Sequence, residues 1–370
     1  MLSNPVPPIS ARLHEGFYSR NKWLGNYFLF RKNEAADAGR TTEINNFLSS
    51  IGRNNSTLSH RFRGALLGLA VGDALGTTLE FSERSTDDRH TEIVGGGPFG
   101  LNAGEWTDDT SMALCLAYSL IRRNGFSAQD QMELYRAWWR DGFLSSNGKC
   151  FDIGNTVLQA LKKFEASDDP MSGSTDEFSA GNGALMRIAP IPLFFASNFT
   201  EAIEKAGESS KTTHGNIQSI DACRYYTGLI LGAINGESKQ KILSSCYSPI
   251  KEIWTYFPLC EPVKAVAEGT FKNKSREQIQ STGYVIHSME AALWAFYNTD
   301  SFEAGLIKAV NLGGDSDTIG AIYGQLAGAF YGEPDIPFRF IEPLKNAHYF
   351  YYFADELLAY YDGRDKLLSR

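Results

Sequence analysis

The 370-residue sequence lacks several features that mark common classes of protein. It has no uninterrupted apolar run approaching the roughly 20 residues that a membrane-spanning helix needs. Its first residues do not join a basic head to an apolar core, so we expect no secretory signal. The formal net charge of -8 argues against general nucleic-acid binding, because that requires a dense surface of Lys and Arg. We therefore expect neither a membrane nor nucleic acid as a general partner.

Cysteine is scarce, and its spacing suggests no pairing. The 5 cysteines are odd in number and form no CxxC motif, and most lie in apolar, helix-like surroundings. This pattern predicts reduced thiols in a cytoplasmic protein rather than a disulfide framework. The sequence also contains no HExxH motif and no His and Cys spacing typical of a zinc site.

Period-2 strand patterns are nearly absent after Leu58, where apolar residues recur mostly at helical spacing. The sequence therefore predicts an all-α fold. Ser127 and Ser301 are expected to cap helices, with Asp130 at the capping-box position of the first and a glycine pair after the second. Helices are predicted over residues 127–140, 154–166, 200–210, 216–235, 283–297, 301–311 and 340–361.

Glycines recur every fourth residue in three stretches of the chain. Residues four apart share one face of a helix, so each set is expected to let another helix approach closely. Each interior glycine costs about 0.5–1 kcal/mol relative to alanine, a cost that close packing would offset. The three sets are Gly64, Gly68, Gly72 and Gly76; Gly228, Gly232 and Gly236; and Gly320, Gly324, Gly328 and Gly332.

Residues 1–57 differ in composition from the rest of the chain. They carry a net positive charge on an otherwise acidic protein, and they begin with a proline-rich stretch followed by several aromatic residues. Aromatic side chains in such number need to be buried, either on the body of the protein or on a partner. We predict an N-terminal extension over residues 1–57 and a single main domain over residues 58–370.

Two short acidic strings contain most of the candidate chemistry. GEWTDDT (104–110) and GGDSDT (313–318) each combine glycine, paired carboxylates and threonine ahead of an apolar helix. Either string alone could simply cap a helix N-terminus. Two ionised carboxylates about 4 Å apart repel by roughly 4 kcal/mol at an effective dielectric of 20. If the strings converge, a cation must compensate, and oxygen ligands favour Mg²⁺ or Mn²⁺ over Zn²⁺.

These strings, with RGALLGLAVGDALG before them and SAGNGALMR between them, closely resemble the ADP-ribosylglycohydrolase family. The resemblance runs in order from about Arg61 to Gly332. It implies an orthogonal multi-helix bundle around a dimetal centre, and cleavage of the glycosidic bond that joins ADP-ribose to an acceptor. Two Mg²⁺ or Mn²⁺ ions would be held, by position, by Thr107, Asp108, Asp109, Asp315, Asp317 and Thr318.

The resemblance also implies three catalytic candidates. Glu80 matches a family glutamate on a mobile loop near the metals, and either Glu80 or Asp109 would assist proton transfer. Asp152 lies in FDIGNT, a string that resembles members acting on ADP-ribosylarginine, where its charge would hold a guanidinium leaving group. The alternative for Asp152 is a helix N-cap.

Substrate-binding residues are implied in two further places. In SAGNGALMR, the resemblance assigns Ser179, Gly181, Asn182 and Gly183 to a loop that binds the diphosphate, although such a string is otherwise a plain turn. His214 matches a family histidine near the substrate ribose. A lone histidine before a helix is as often a structural hydrogen-bonding residue.

The leading hypothesis is an enzyme that removes ADP-ribose from arginine on an ADP-ribosylated protein. The second is an inhibitor that occludes an ADP-ribosyltransferase toxin through residues 1–57, and an immunity protein could both occlude the toxin and erase its product. The third keeps the fold but acts on another ADP-ribosyl linkage, such as one to serine, acetate or a nucleobase.

Overall fold

The computed structural model describes residues 57–84 and 86–368, with side chains as far as Tyr361. Within these ranges the chain forms α-helices, short 3-10 helices and three isolated β-bridges, so the predicted all-α class is confirmed. The predicted N-terminal extension lies outside the described residues, apart from Thr57 at its end. No helix in the described part of the chain has both the length and the apolarity to cross a membrane.

The helices are numbered here in chain order. The α-helices are α1 (Thr57–Gly76), α2 (Asp108–Arg123), α3 (Ala128–Asp141), α4 (Asn155–Ser167), α5 (Pro190–Phe194), α6 (Phe199–Lys211), α7 (Ile217–Ile234), α8 (Lys239–Ile242), α9 (Ile253–Tyr256), α10 (Glu261–Ala267), α11 (Val285–Tyr297), α12 (Phe302–Val310), α13 (Ser316–Tyr331), α14 (Phe338–Ile341) and α15 (His348–Leu368). The 3-10 helices are Thr77–Leu79, Glu177–Ser179, Thr270–Asn273, Arg276–Gln278 and Glu333–Asp335.

Helices α1 and α13 form the centre of the fold, and their glycine faces pack directly against each other. A Cβ added to Gly68 would lie 2.2 Å from the carbonyl oxygen of Gly324, which is closer than any side chain could come. The partners run in opposite order along the two helices, so the pair is antiparallel. The matched glycines are Gly64 with Gly328, Gly68 with Gly324, and Gly72 with Gly320.

This antiparallel contact determines which segments meet at one end of the pair. Helix α1 ends at Gly76 where α13 begins, and the Ser316 hydroxyl donates a hydrogen bond to the Gly76 carbonyl oxygen at 2.8 Å. Residues that follow α1, including Glu80, are thereby brought beside the acidic string that opens α13. Helices α7, α11 and α12 pack on α13, and α15 packs on α1.

The set of Gly228, Gly232 and Gly236 on α7 meets side chains rather than the backbone of another helix, so the prediction of close helix packing is wrong for this set. A Cβ on Gly232 would lie 2.4 Å from the Tyr247 hydroxyl, and one on Gly228 would lie 3.5 Å from Pro249. These partners are side chains of the segment that follows α8. Gly236 lies beyond α7, at a φ of +82°, where glycine relieves the strain of a left-handed turn.

The predicted helix over residues 340–361 is interrupted. Helix α14 ends at Ile341 and α15 begins at His348, because Pro343 cannot continue a helix. The segment between α14 and α15 binds the loop that precedes α2. The Lys345 amide donates to the Gly104 carbonyl oxygen at 2.9 Å, and the Trp106 indole donates to the Lys345 carbonyl oxygen at 3.1 Å. The interruption therefore anchors the first acidic string.

Both predicted serine caps are present. Ser127 accepts from the Asp130 amide and Ser301 from the Ala304 amide. The reciprocal half of the capping box is absent at Asp130, because its buried carboxylate instead accepts hydrogen bonds from Ser119 and Arg122. All five cysteines are free thiols, as their spacing predicts.

The glycine contact between α1 and α13 can be tested with one methyl group. Gly324→Ala would place a Cβ 1.9 Å from the Gly68 carbonyl oxygen, so we expect the free energy of unfolding to fall by about 1–3 kcal/mol or more. Gly228→Ala in α7 is the matched control, since its Cβ meets only ordinary contacts, and it should be neutral or stabilise by about 0.4–1 kcal/mol. Denaturant unfolding measures both, and equal effects would contradict the close packing.

Candidate metal centre and active site

A cavity of about 430 Å³ brings the two acidic strings together. Asp108 lines it from the first string, and Asp315, Asp317 and Thr318 line it from the second. Deeper in the wall, the Thr318 hydroxyl donates to Asp109 Oδ2 at 3.5 Å and so links the strings directly. Residues about two hundred positions apart in sequence thus form one continuous oxygen-rich surface.

The acidic strings do not serve as ordinary helix caps. Thr107 and Asp315 occupy the N-cap positions of α2 and α13, yet neither side chain caps its own helix. Thr107 Oγ1 instead lies 3.2 Å from Asp109 Oδ2, and Asp315 Oδ2 accepts a hydrogen bond from the Asn182 amide at 2.6 Å. The capping interpretation is therefore wrong for these two side chains, whose oxygens contact the cluster instead.

Asp73 performs the capping of α2 from another helix. Its carboxylate accepts from the Thr107 and Thr110 amides at 2.9 Å and 3.1 Å and from their hydroxyls at 3.0 Å and 2.6 Å. Burial raises the pKa of Asp73 to about 6, while these hydrogen bonds favour the ionised form. Sequence reasoning did not assign Asp73 to the site. The available signal was a single charge within the otherwise apolar second half of α1.

The site contains buried carboxylate oxygens that lack a hydrogen bond. Within the described chain, Glu80 Oε2, Asp109 Oδ1 and Asp317 Oδ1 have no partner. Oxygens of Glu80, Asp152 and Asp317 also lie within 4.8 Å of one another. Unpaired buried carboxylate oxygens are costly, and a divalent cation with oxygen ligands would satisfy them. The donor set therefore fits a Mg²⁺ or Mn²⁺ centre.

The electrostatics of the cluster point to the same need for a cation. Burial, and then the charge of neighbouring carboxylates, raises the pKa of Asp108, Asp109 and Asp317 well above its ordinary value. The same causes raise the pKa of Glu80 to about 9 and that of Asp152 to about 7. The protein cannot keep all these groups ionised together without a compensating positive charge.

The loop that carries Glu80 is held against the second string. The Phe81 amide donates to the Gly314 carbonyl oxygen at 2.7 Å, and the Gly314 amide donates to the Ser82 carbonyl oxygen at 2.9 Å. The Arg84 guanidinium further binds the carbonyl oxygens of Leu312, Arg276 and Ile279. Glu80 is consequently fixed with its carboxylate buried at the cavity wall.

Gly181, Asn182, Gly183 and His214 form another wall of the cavity. A Cβ on Gly181 would lie 3.1 Å from His214 Nε2, and one on Gly183 would lie 2.8 Å from His214 Cε1. The two glycines thus leave room for the imidazole. Asn182 donates to Asp315, so it orients a carboxylate of the second string as well as lining the cavity.

Of the predicted site residues Asp152 and Ser179, the first lines the cavity and the second does not. Asp152 lines the cavity, and Gly154 rather than Asp152 is the N-cap of α4, so the capping alternative is wrong for Asp152. Ser179 is not brought to this cavity. Its hydroxyl donates to the carbonyl oxygens of Ser174 and Asp176, and it lines a neighbouring cavity of about 620 Å³.

Comparison with known proteins gives one consistent result. A family model described as ADP-ribosylglycohydrolase matches residues 54–366. ADP-ribosylarginine hydrolase Tri1 of Serratia proteamaculans (strain 568) is 42% identical over 283 residues, which cover 76% of this chain and 74% of that protein. The protein of the same name from Pseudomonas putida (strain GB-1) is 39% identical over 298 residues, covering 80% and 77%.

Two further similarities are to another named glycohydrolase and to a solved structure. ADP-ribosyl-[dinitrogen reductase] glycohydrolase of Rhodospirillum rubrum is 31% identical over 288 residues, covering 77% of this chain and 90% of that protein. A solved ADP-ribosylglycohydrolase-related protein complex matches with a TM-score of 0.71 and 39% identity, covering 81% of this chain and 97% of that one.

The carboxylate cluster generates a prediction about metal and stability. Asp317→Asn keeps the shape of the side chain but removes one buried charge, so we expect the metal-free variant to melt at or above the wild-type temperature. Mg²⁺ or Mn²⁺ should raise the melting temperature of the wild type but not that of the variant. At a free metal concentration of 100 times Kd, the expected stabilisation of the wild type is about 2.7 kcal/mol. Thermal unfolding with and without metal measures both effects.

Asp300→Asn is the matched control for that experiment, because Asp300 is an exposed carboxylate outside the cavity. It should leave the metal response of the wild type unchanged. A full metal response in Asp317→Asn would show that Asp317 does not bind the ion.

Proposed function

The chain belongs to the ADP-ribosylglycohydrolase family, and from that premise we propose that it is a metal-dependent hydrolase that removes ADP-ribose from arginine side chains of proteins. The observation that supports metal dependence most strongly is the set of unpaired, buried carboxylate oxygens contributed by Glu80 and by both acidic strings. A folded protein leaves few buried polar atoms without a partner, because each costs the free energy of its desolvation.

We propose two Mg²⁺ or Mn²⁺ ions as the cofactors. When bound, they would offset the carboxylate charge and supply Lewis-acid polarisation to substrate oxygens. Asp73 would position the first string by capping α2, and Asn182 would orient Asp315. The residues proposed to hold the ions are Thr107, Asp108, Asp109, Asp315, Asp317 and Thr318.

Glycosidic cleavage develops positive charge at the anomeric carbon, and a carboxylate-lined cavity stabilises that charge. For proton transfer we favour Glu80 over Asp109. Glu80 lines the cavity directly, whereas Asp109 lies deeper, between the hydroxyls of Thr107 and Thr318. The diphosphate is assigned to the wall formed by Gly181, Asn182 and Gly183.

The proposal that arginine is the acceptor rests on Asp152 and on the similarity to proteins named ADP-ribosylarginine hydrolase. The Asp152 carboxylate lies at the cavity with Glu80 and Asp317, where it can pair with a guanidinium leaving group through charge-assisted hydrogen bonds. A neutral acceptor such as serine would gain nothing comparable from this carboxylate. The same fold acting on another linkage is therefore the weaker alternative.

The proposed setting is the cytoplasm, which agrees with five free thiols. Immunity to an ADP-ribosyltransferase toxin remains a further hypothesis, and it rests on the composition of residues 1–57 alone. The hypothesis that this segment occludes a toxin active site falls outside the described residues and stays a prediction.

The proposed activity is tested with a protein carrying ADP-ribosylated arginine. We expect the full-length chain to release free ADP-ribose, EDTA to stop the release, and added Mg²⁺ or Mn²⁺ to restore it. Asp108→Asn should lower kcat/KM at least about 100-fold, because it removes a cavity-lining carboxylate of the metal centre. Undiminished release in EDTA would refute metal dependence, and no release under any condition would refute the activity.

The acceptor is tested separately with Asp152→Asn. Loss of a charge-assisted hydrogen bond should lower kcat/KM for the arginine-linked substrate by about 10- to 100-fold. Turnover of O-acetyl-ADP-ribose, whose leaving group carries no guanidinium, and inhibition by free ADP-ribose should change little. An equal loss with both substrates would show that Asp152 serves the metal centre rather than the acceptor.

A further inference from the structure

Three buried side chains form a row that ends at the cavity wall. Arg187 Nη2 donates to Thr213 Oγ1 at 2.7 Å, and that hydroxyl lies 2.9 Å from His214 Nδ1. Arg187 and Thr213 are fully buried, and His214 is 2% exposed. Of the three, His214 alone lines the cavity. The row therefore connects a buried cation to the surface that would meet the substrate.

The hydrogens in this row can be assigned from what each group is able to donate. An arginine only donates, so one lone pair of the Thr213 oxygen is already occupied. If the Thr213 hydrogen points to Nδ1, the hydroxyl both accepts from Arg187 and donates to the ring, which must then carry its proton on Nε2. The opposite tautomer would leave the buried Thr213 hydrogen without an acceptor among the described residues, which is unfavourable.

The surroundings of Arg187 keep the ring neutral. Its guanidinium contacts the Met112 sulfur at 3.6 Å and the Tyr135 ring at 4.5 Å from the centroid, as well as the Thr213 hydroxyl. None of these partners carries a negative charge, so the positive charge of Arg187 is not neutralised and disfavours a second positive charge on His214. Burial, and then the charge of Arg187, lowers the pKa of His214 to about 3.

The orientation of the ring is fixed as well. The His214 amide donates to the Ser210 carbonyl oxygen at 2.7 Å, which holds the backbone at the end of α6. A Cβ on Gly183 would collide with Cε1 of the ring at 2.8 Å, and one on Gly181 would make a tight contact with Nε2 at 3.1 Å, so the two glycines leave the space that this ring orientation needs. Nε2 has no hydrogen-bond partner among the described residues. Because His214 lines the cavity, this nitrogen is free to bind a ligand there.

We propose that Thr213, itself oriented by Arg187, is a positioning residue that fixes His214 as a neutral imidazole with its proton on Nε2. In that form His214 donates a hydrogen bond to an acceptor oxygen of the ADP-ribosyl group. The identity of that ligand rests on the proposed function, whereas the position of the proton does not. Neither Arg187 nor Thr213 touches the substrate.

The proton position is measured directly by NMR on the full-length protein labelled with ¹⁵N-histidine at pH 7. Long-range ¹H–¹⁵N correlations distinguish a protonated from an unprotonated ring nitrogen, and His214→Gln assigns the signals. We expect His214 in the wild type to be protonated at Nε2 alone. A proton at Nδ1, or protons at both nitrogens, would overturn the proposal.

Two variants of Thr213 separate positioning from packing. Thr213→Val keeps the shape but removes the hydroxyl, so His214 should shift toward a mixture of tautomers, while Thr213→Ser should retain the wild-type spectrum. A wild-type spectrum in Thr213→Val would overturn the proposal. Should Thr213→Val fail to fold, as judged by thermal unfolding, the wild type and Thr213→Ser still decide the tautomer.

The contact with ligand is tested by calorimetric titration of ADP-ribose. Thr213→Val should weaken binding about three- to tenfold, the usual effect of losing one hydrogen bond, and Thr213→Ser should restore it. Unchanged affinity in Thr213→Val would overturn the contact. This outcome is distinct from a failure of the proposed function, because a protein inactive on ADP-ribosylarginine could still show the predicted Nε2 proton.

Discussion

The close contact between the glycine faces of α1 and α13 is the constraint on which the site depends. Carbonyl oxygens of one helix occupy the space where side chains of the other would stand, so the pair has little freedom to slide or rotate. This fixed register brings the end of α1 to the start of α13. Glu80 and the second acidic string therefore meet at one place, and the first string joins them through Asp73.

Asp73 links the stability of the fold to the geometry of the centre. It belongs to the central helix pair, yet its carboxylate binds the amides and hydroxyls that open α2. The carboxylates of Asp108 and Asp109 are thus released from capping and remain available as ligands. Asp73 does not line the cavity, yet in this way it influences which oxygens the cavity presents.

Much of this arrangement could be predicted from the sequence, because the signals were local or repeated. The acidic strings and the two central glycine ladders are short patterns with direct physical meaning. The remaining features depended on partners that no local pattern identifies: the Tyr247 side chain lies against Gly232, Arg122 donates to the Asp130 carboxylate, and the Ser179 hydroxyl donates to nearby carbonyl oxygens. Local patterns do not specify such partners, since they are defined only by the folded chain.

The raised pKa values of the cluster have a consequence for how the centre is filled. Because burial and mutual repulsion raise the pKa of Glu80 to about 9 and that of Asp152 to about 7, a divalent cation bound as proposed would exchange with protons on these carboxylates. The apparent affinity for metal must then weaken as the surrounding medium becomes more acidic. For the proposed metal-dependent enzyme, turnover would thereby depend on the acidity of the medium as well as on the supply of the ion.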